Sequence, residues 1–314
     1  MSPSDPTSPD AGADSGGPAG REQPDGSALL QALLDLLDLD ELEPDAQGQD
    51  RFVGASQPQP HGRVFGGQVL GQSLVAASRT VDTGRPVHSM HGYFLRAGDS
   101  SEPITFAVER LRDGRSFSAR RVHAIQFDRP ILSLIASFQQ PAPGYEHQDE
   151  MPQVPGPEEL PTTHELIGHL DHPVARFWAG ERPFDLRHVE GPVYWRPGAE
   201  RVAHQAVWMR ATAPMPDDPL LHRAVLGYAS DYTLLESVLR RHGASWALPG
   251  MKAASLDHAM WWHREARVDE WLLYAQASPS ASGGRGLGIG RIFSRDGRLV
   301  ASVGQEGMLR PPRD

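Results

Sequence analysis

The feature that most restricts how this chain can fold is a repeated order of elements, met once between residues 52 and 139 and again between 184 and 309. In the first pass a short strand-like run from Phe52 leads into Arg63–Val81, a helix-length segment rich in Gly, Ala and Ser. Strand-like runs follow near 86–97, 102–112, 116–127 and 131–139, with turns at Asp113-Gly114 and Asp128-Arg129-Pro130. In the second pass, runs near 184–195 and 201–213 precede a helical segment, Leu220–Gly243, and runs near 252–263, 269–280, 286–295 and 298–309 come after it. The halves echo each other in residues: HGYFLRAG at 91–98 against AMWWHREA at 259–266, and FDRPILSLIASF at 127–138 against SRDGRLVASVGQ at 294–305. Such a duplication, one long helix and an antiparallel meander in each copy, predicts an α+β tandem pseudo-dimer whose sites lie where the halves meet. The small side chains of the first helix suit a position deep inside a curved sheet.

The flanks read differently. Residues 1–27 hold five Pro, five Gly and five Ser without an aromatic, too little apolar surface to offset ordering entropy, and are expected to be disordered. Ala28–Leu42 reads as an amphipathic helix, with Leu29, Leu33, Leu36, Leu37 and Leu39 set against Asp35, Asp38, Asp40 and Glu41. Prolines at 141, 143, 152, 155, 157 and 161 mark an extended surface linker. The expected organisation is therefore an acidic leader 1–27, a first unit 28–140, a linker 141–163 and a second unit 164–314.

Charge and composition exclude several classes of function. Twelve acids against Arg21 in residues 1–50 account for the formal charge of −10; the rest is near neutral and has no basic stripe, which argues against a nucleic-acid partner. The absence of cysteine removes disulfides, thiolate metal sites and a cysteine nucleophile. Neither a membrane span nor a secretory signal is indicated, so a cytoplasmic location is expected. His164-Glu-Leu-Ile-Gly-His169 spaces its histidines five apart, off one helical face, and no metal is expected there. Gly283–Gly290 lacks the spacing and following helix of a phosphate loop, and no G-x-S-x-G elbow occurs. Acyl hydrolysis in such a chain needs a directly activated water.

Asp231 is the anomaly of the second helical segment. Ala224, Tyr228, Leu235, Val238 and Leu239 recur at three and four residue steps, and the aspartate lies on that apolar face. Burying a carboxylate is costly unless it is hydrogen-bonded, which leaves two readings open: Ser230 or Asp231 as N-cap of a shorter helix Tyr232–His242, or Asp231 as a general base. Ser255 at a strand start and Gln305 near the last strand's end supply a hydroxyl and an amide that, with Asp231, can hold one water. Each is also an ordinary strand-edge polar residue by spacing alone.

Several motifs in order resemble one family: Arg63-Val-Phe-Gly-Gly-Gln-Val-Leu-Gly-Gln72, Pro86-Val-His-Ser-Met-His91 with Tyr93-Phe-Leu-Arg96, Ser116–Arg121, Tyr228-Ala-Ser-Asp231, Leu256–Trp261 with His263-Arg264, Glu270–Tyr274 and Gln305-Glu-Gly307. Together, over about 29–310, they are similar to the type II acyl-CoA thioesterases. The resemblance implies a double hotdog fold and hydrolysis of fatty acyl-CoA to free acid and CoA without a cofactor. It carries the family's catalytic Asp, Thr and Gln onto Asp231, Ser255 and Gln305, with serine replacing threonine at 255 and losing the methyl that restricts its rotamer. In the first half, Gly66 and Gly67 at the helix start are expected to offer N–H groups to the thioester oxygen, and Arg120, Arg121 and Arg285 are candidates for the CoA phosphates. Competing readings are a hotdog-fold enoyl-CoA hydratase using Asp217–His222, and an acyl-CoA binding protein without turnover. Exposed sheet edges and the double unit make a homo-oligomer, dimer or tetramer, the expected assembly.

Overall fold

A computed structural model describes residues 25–312 of the chain. Helix α1 (Gly26–Leu37) leads to strands β1 (Asp40–Leu42) and β2 (Asp50–Gly54), helix α2 (Gly66–Ser78), and strands β3 (Val87–Phe94), β4 (Ile104–Asp113), β5 (Phe117–Gln126) and β6 (Arg129–Gln139). After the proline-rich stretch come short helices α3 (Thr163–Ile167) and α4 (Pro173–Gly180), then β7 (Phe184–His188), β8 (His204–Ala211), α5 (Pro219–Ser230) and α6 (Glu236–His242). Strands β9 (Lys252–Ser255), β10 (Asp257–Trp262), β11 (Leu272–Ser282), β12 (Arg285–Ser294) and β13 (Leu299–Arg310) complete the chain.

All thirteen strands belong to one antiparallel sheet, in the order β1-β2-β4-β5-β6-β3-β10-β13-β12-β11-β8-β7, with β9 added beside β13. The duplication is visible in the register. The halves meet along β3 and β10, where His91 faces Ala259, and each of these strands also pairs with the last strand of its own half, His91 with Ile135 and Ala259 with Gly304. One half wraps α2 and the other wraps α5 and α6, the double hotdog arrangement.

Every residue of α2 from Gly67 to Ala77 is buried, as a helix enclosed on all sides requires. Its glycines let it meet α5 backbone to backbone: a Cβ on Gly67 would collide with the Tyr228 carbonyl oxygen, and one on Gly71 would stand 3.2 Å from that of Ala224. Gln72 donates to the Leu36 and Ala55 carbonyls, tying α1 and the loop after β2 to this buried helix. No helix among the described residues is long and apolar enough to cross a membrane.

Three expectations need correction. The first 24 residues of the expected disordered leader lie outside the described residues, and Asp25 to Ser27 are ordered helix start, with the Asp25 side chain accepting from the Ser27 N–H. The helix expected to run to Leu42 stops at Leu37: Asp38 turns extended, Leu39 stays in the core, and Asp40–Leu42 pair with β2. The Leu220–Gly243 segment is two helices. Asp218 caps α5 by accepting from Leu220 N–H, a turn at 231–235 breaks the run, and α6 starts at Glu236 with no side-chain cap. Asp231 therefore closes α5 and does not open α6; its carboxylate is left for other partners.

Candidate active site

Asp231 sits at the break between α5 and α6, beside the start of α2 from the other half. Gln305 Nε2, on β13, donates to Asp231 Oδ1 at 2.7 Å and to Ser255 Oγ, on β9, at 2.7 Å. The Ser255 hydroxyl and the Gly67 backbone N–H also favour the charged carboxyl, yet burial outweighs them and pushes the Asp231 pKa up to about 6. β9 pairs with β13 so that Ser255 lies opposite Gly307, two residues from Gln305, which is how two strand-edge residues distant in sequence reach one carboxylate. The cluster thus draws on both halves: α2 from the first, and α5, β9 and β13 from the second.

A cavity of about 680 Å³ opens over this cluster, with Asp231, Ser255, Gln305 and Gly66 in its wall. Its mouth carries the exposed cations Arg63 and Arg96 together with His61. A second compartment of about 590 Å³ shares Phe65, Trp178, Arg182, Tyr232 and Trp246 with the first and adds Phe177, Trp195 and His172. These walls are fixed. Phe65 stacks on Tyr232 at 5.0 Å between centroids and meets Tyr228 edge-on at 5.1 Å, while Trp246 Nε1 donates to the buried Glu236 at 3.1 Å. The Arg182 guanidinium lies 4.6 Å from the Tyr232 ring centre and donates to Tyr194 Oη, with no carboxylate in ion-pair range among the described residues.

Asp231, Ser255 and Gln305 come together as the sequence suggested. The glycines do so in part. Gly66 lines the cavity and has no room for a side chain, since a Cβ would lie 2.6 Å from Asp231 Oδ2, but the Gly67 N–H points at Asp231 and not at a substrate oxygen. The three arginines assigned to CoA are elsewhere. Arg120 is 1% exposed because it falls on the inward alternation of β5, where it donates to Thr80, Asp113, Arg112 and Ala119 and locks the end of α2 to the β4–β5 hairpin. Arg121 pairs with Glu109 and Arg285 with Glu306 on the surface, and neither lines the cavity. Asp217 and His222 are likewise used structurally: Asp217 pairs with Arg267, and His222 Nδ1 accepts from Val268 N–H, leaving no hydratase pair in the cavity. The sequence reading missed Arg182, Trp178 and the whole α3–α4 segment, whose apolar residues are too few for a periodic signal, and gave His258 no role.

The chain matches the family description "Acyl-CoA thioesterase" over residues 181–308 and "Acyl-CoA thioesterase N-terminal domain" over residues 55–139. It is 39% identical to "Acyl-CoA thioesterase 2" of Haemophilus influenzae, across 90% of this chain and 99% of the relative. It is also 39% identical to "Acyl-coenzyme A thioesterase 8" of Homo sapiens, across 97% of each. Among solved structures, an acyl-CoA thioesterase II from Mycobacterium marinum superposes with a TM-score of 0.72 at 44% identity, covering 90% of this chain and 98% of that one. A hot dog fold protein from Alicyclobacillus acidocaldarius, 20% identical, superposes at 0.71 over 90% of this chain and 99% of its own, a likeness of fold alone.

Proposed function

From the premise that this chain belongs to the type II acyl-CoA thioesterase family and hydrolyses acyl-CoA thioesters, we propose that Asp231, Ser255 and Gln305 activate the attacking water. What carries the reading is one arrangement: a carboxylate held by an amide and a hydroxyl in the wall of a cavity between the two halves. The water sits against Asp231 and Ser255 and attacks the thioester carbonyl carbon. Asp231 takes its proton, the C–S bond breaks, and the proton passes to the departing CoA sulfur. The start of α2 at Gly66 supplies the positive end of a helix beside the developing oxyanion. A base with a pKa near 6 is ionised at neutral pH and still basic enough to accept a proton.

Arg63 and Arg96 at the mouth take the place of the three arginines first assigned to the CoA phosphates, and the aromatic compartment receives the acyl chain. The work is that of a soluble cytoplasmic enzyme. Exposed apolar residues on the outer face of the sheet, Tyr93, Ile135, Trp261 and Ile289, support self-association. Free-thiol release from acyl-CoA substrates of increasing chain length, wild type against Asp231→Asn, tests the reading. A kcat reduced about 100-fold or more in a folded variant is expected, the range of a lost general base. Turnover within a factor of a few of wild type would refute it.

A further inference from the structure

Behind the active-site amide lies a buried polar chain that the reaction itself does not touch. His258 on β10 is 0% exposed, with Nδ1 3.1 Å from Gln305 Oε1 and Nε2 2.9 Å from Ser230 Oγ. Ser230 is the last residue of α5, next to Asp231, and is 0% exposed. We propose that His258, oriented by Ser230, is a positioning residue that holds the Gln305 amide with its N–H groups toward Asp231 and Ser255. The inference rests on Asp231 as the base.

A side-chain amide fits its site in two orientations of almost equal shape, and only its partners choose between them. Ionised Asp231 only accepts, so Gln305 must present Nε2 to it, and Oε1 then faces His258. Oε1 needs a donor, so the His258 proton is on Nδ1. Burial pushes the His258 pKa down to about 4, so near neutral pH the ring is uncharged and Nε2 keeps its lone pair. The Ser230 hydroxyl lies 2.9 Å from both Nε2 and the Gly227 carbonyl oxygen and has one proton to give; with the His258 proton on Nδ1, Nε2 is the acceptor that this proposal assigns to it. Every bond then runs in one direction: Ser230 to His258, His258 to Gln305, Gln305 to Asp231. Without the ring donor, the far end of the Gln305 amide loses its anchor, and Nε2 is held less firmly against both the carboxylate and Ser255. A buried Oε1 left without a partner is costly, and the amide shifts to relieve it at the expense of its bonds to Asp231 and Ser255.

His258→Leu conserves volume and removes the donor, whereas His258→Asn places an amide N–H close to where Nδ1–H stands. His258→Leu is expected to lower kcat about tenfold, the worth of one buried hydrogen bond, with KM changed less than about twofold. The acid limb of kcat/KM should move about half a pH unit upward, because Asp231 is held less firmly by a donor that favours its charged form. The other groups facing Asp231 are untouched in this variant: Gly67 of α2, Tyr228 of α5, Ser255 of β9, Tyr274 of β11, the cavity cations Arg63, Arg96 and Arg182, and His61, whose pKa burial and Arg63 push down. His258→Asn should restore kcat and the acid limb to near wild type. Imidazole nitrogen NMR of the folded wild type, with the signal assigned by its loss in His258→Asn, should report a proton on Nδ1 and none on Nε2 at pH 7. That measurement stands even if His258→Leu fails to fold. A proton on Nε2, or a His258→Leu enzyme with wild-type kcat and acid limb while Asp231→Asn is dead, overturns the proposal. An active Asp231→Asn overturns instead the reading on which it rests.

Discussion

If the Asp231 carboxyl is held in place for catalysis against its own preference for water, removing its charge should stabilise the protein, and only above a definable pH. Its pKa rises from 3.8 to about 6, chiefly by burial. A pKa raised in the folded state means that the folded chain binds its proton more tightly than the unfolded chain. Stability from this group is therefore fully present below pH 3.8 and is lost as pH rises through about 6. A shift of roughly two units corresponds to about 3 kcal/mol. Asp231 opens partly on the cavity, where water can enter, so about 2 kcal/mol is the expected size. Urea unfolding of wild type and Asp231→Asn from pH 4 to 8 isolates the effect, since every other titrating group cancels in the difference. The stability of Asp231→Asn relative to wild type should climb by about 2 kcal/mol between pH 4 and 7 and level off beyond, a sizeable part of a typical folding stability. A difference constant across that range would show that Gln305, Ser255 and Gly67 compensate the buried charge in full, and the argument from burial would fail.

The same protonation sets the rate: kcat/KM should fall about tenfold per pH unit below an acid limb near pH 6, read by thiol release, and a flat profile down to pH 5 contradicts Asp231 as base. Gly66→Ala places a methyl 2.6 Å from Asp231 Oδ2 and should cut kcat at least about tenfold while unfolding cooperatively. Arg120→Ala should cost about 3 kcal/mol of stability by calorimetry or urea unfolding, leaving the KM for acyl-CoA unchanged, as befits a buried structural guanidinium. Arg63→Ala and Arg96→Ala should do the reverse, raising KM severalfold in a way that added salt erases, with little effect on unfolding.

What could be read from the chain alone was whatever repeats or alternates. The helix-then-meander order, the collinear echo between halves and nearly all strands follow from patterns of apolar residues spaced at two or three to four, because those patterns face a core whatever the rest of the molecule does. Asp231 stood out for the same reason: it breaks such a pattern. Ser255 and Gln305 drew notice through the family's motif order, since a hydroxyl and an amide at strand edges look alike at any site. Pairing of β9 with β13 is what brings them to Asp231, and no local pattern encodes which edge a four-residue strand joins.

The arginines failed in the opposite direction. Composition treats every strand arginine as solvated, yet Arg120 falls on the inward side of β5, and whether a guanidinium there meets five acceptors or none depends on the end of α2 and the neighbouring hairpin. Arg182 and Trp246 reach the compartment wall from irregular segments, and Trp178 from the eight-residue helix α4, too short for its period to stand out. The partners behind the Gln305 amide are more distant still from sequence: His258 lies 3.1 Å from its Oε1 and Ser230 2.9 Å beyond that ring. The sequence by itself determined the fold, the duplication and the one out-of-place carboxylate, because hydrophobic periodicity is local. Which polar groups touch that carboxylate, and which cations face the cavity, was decided only by tertiary contacts between residues far apart in the chain.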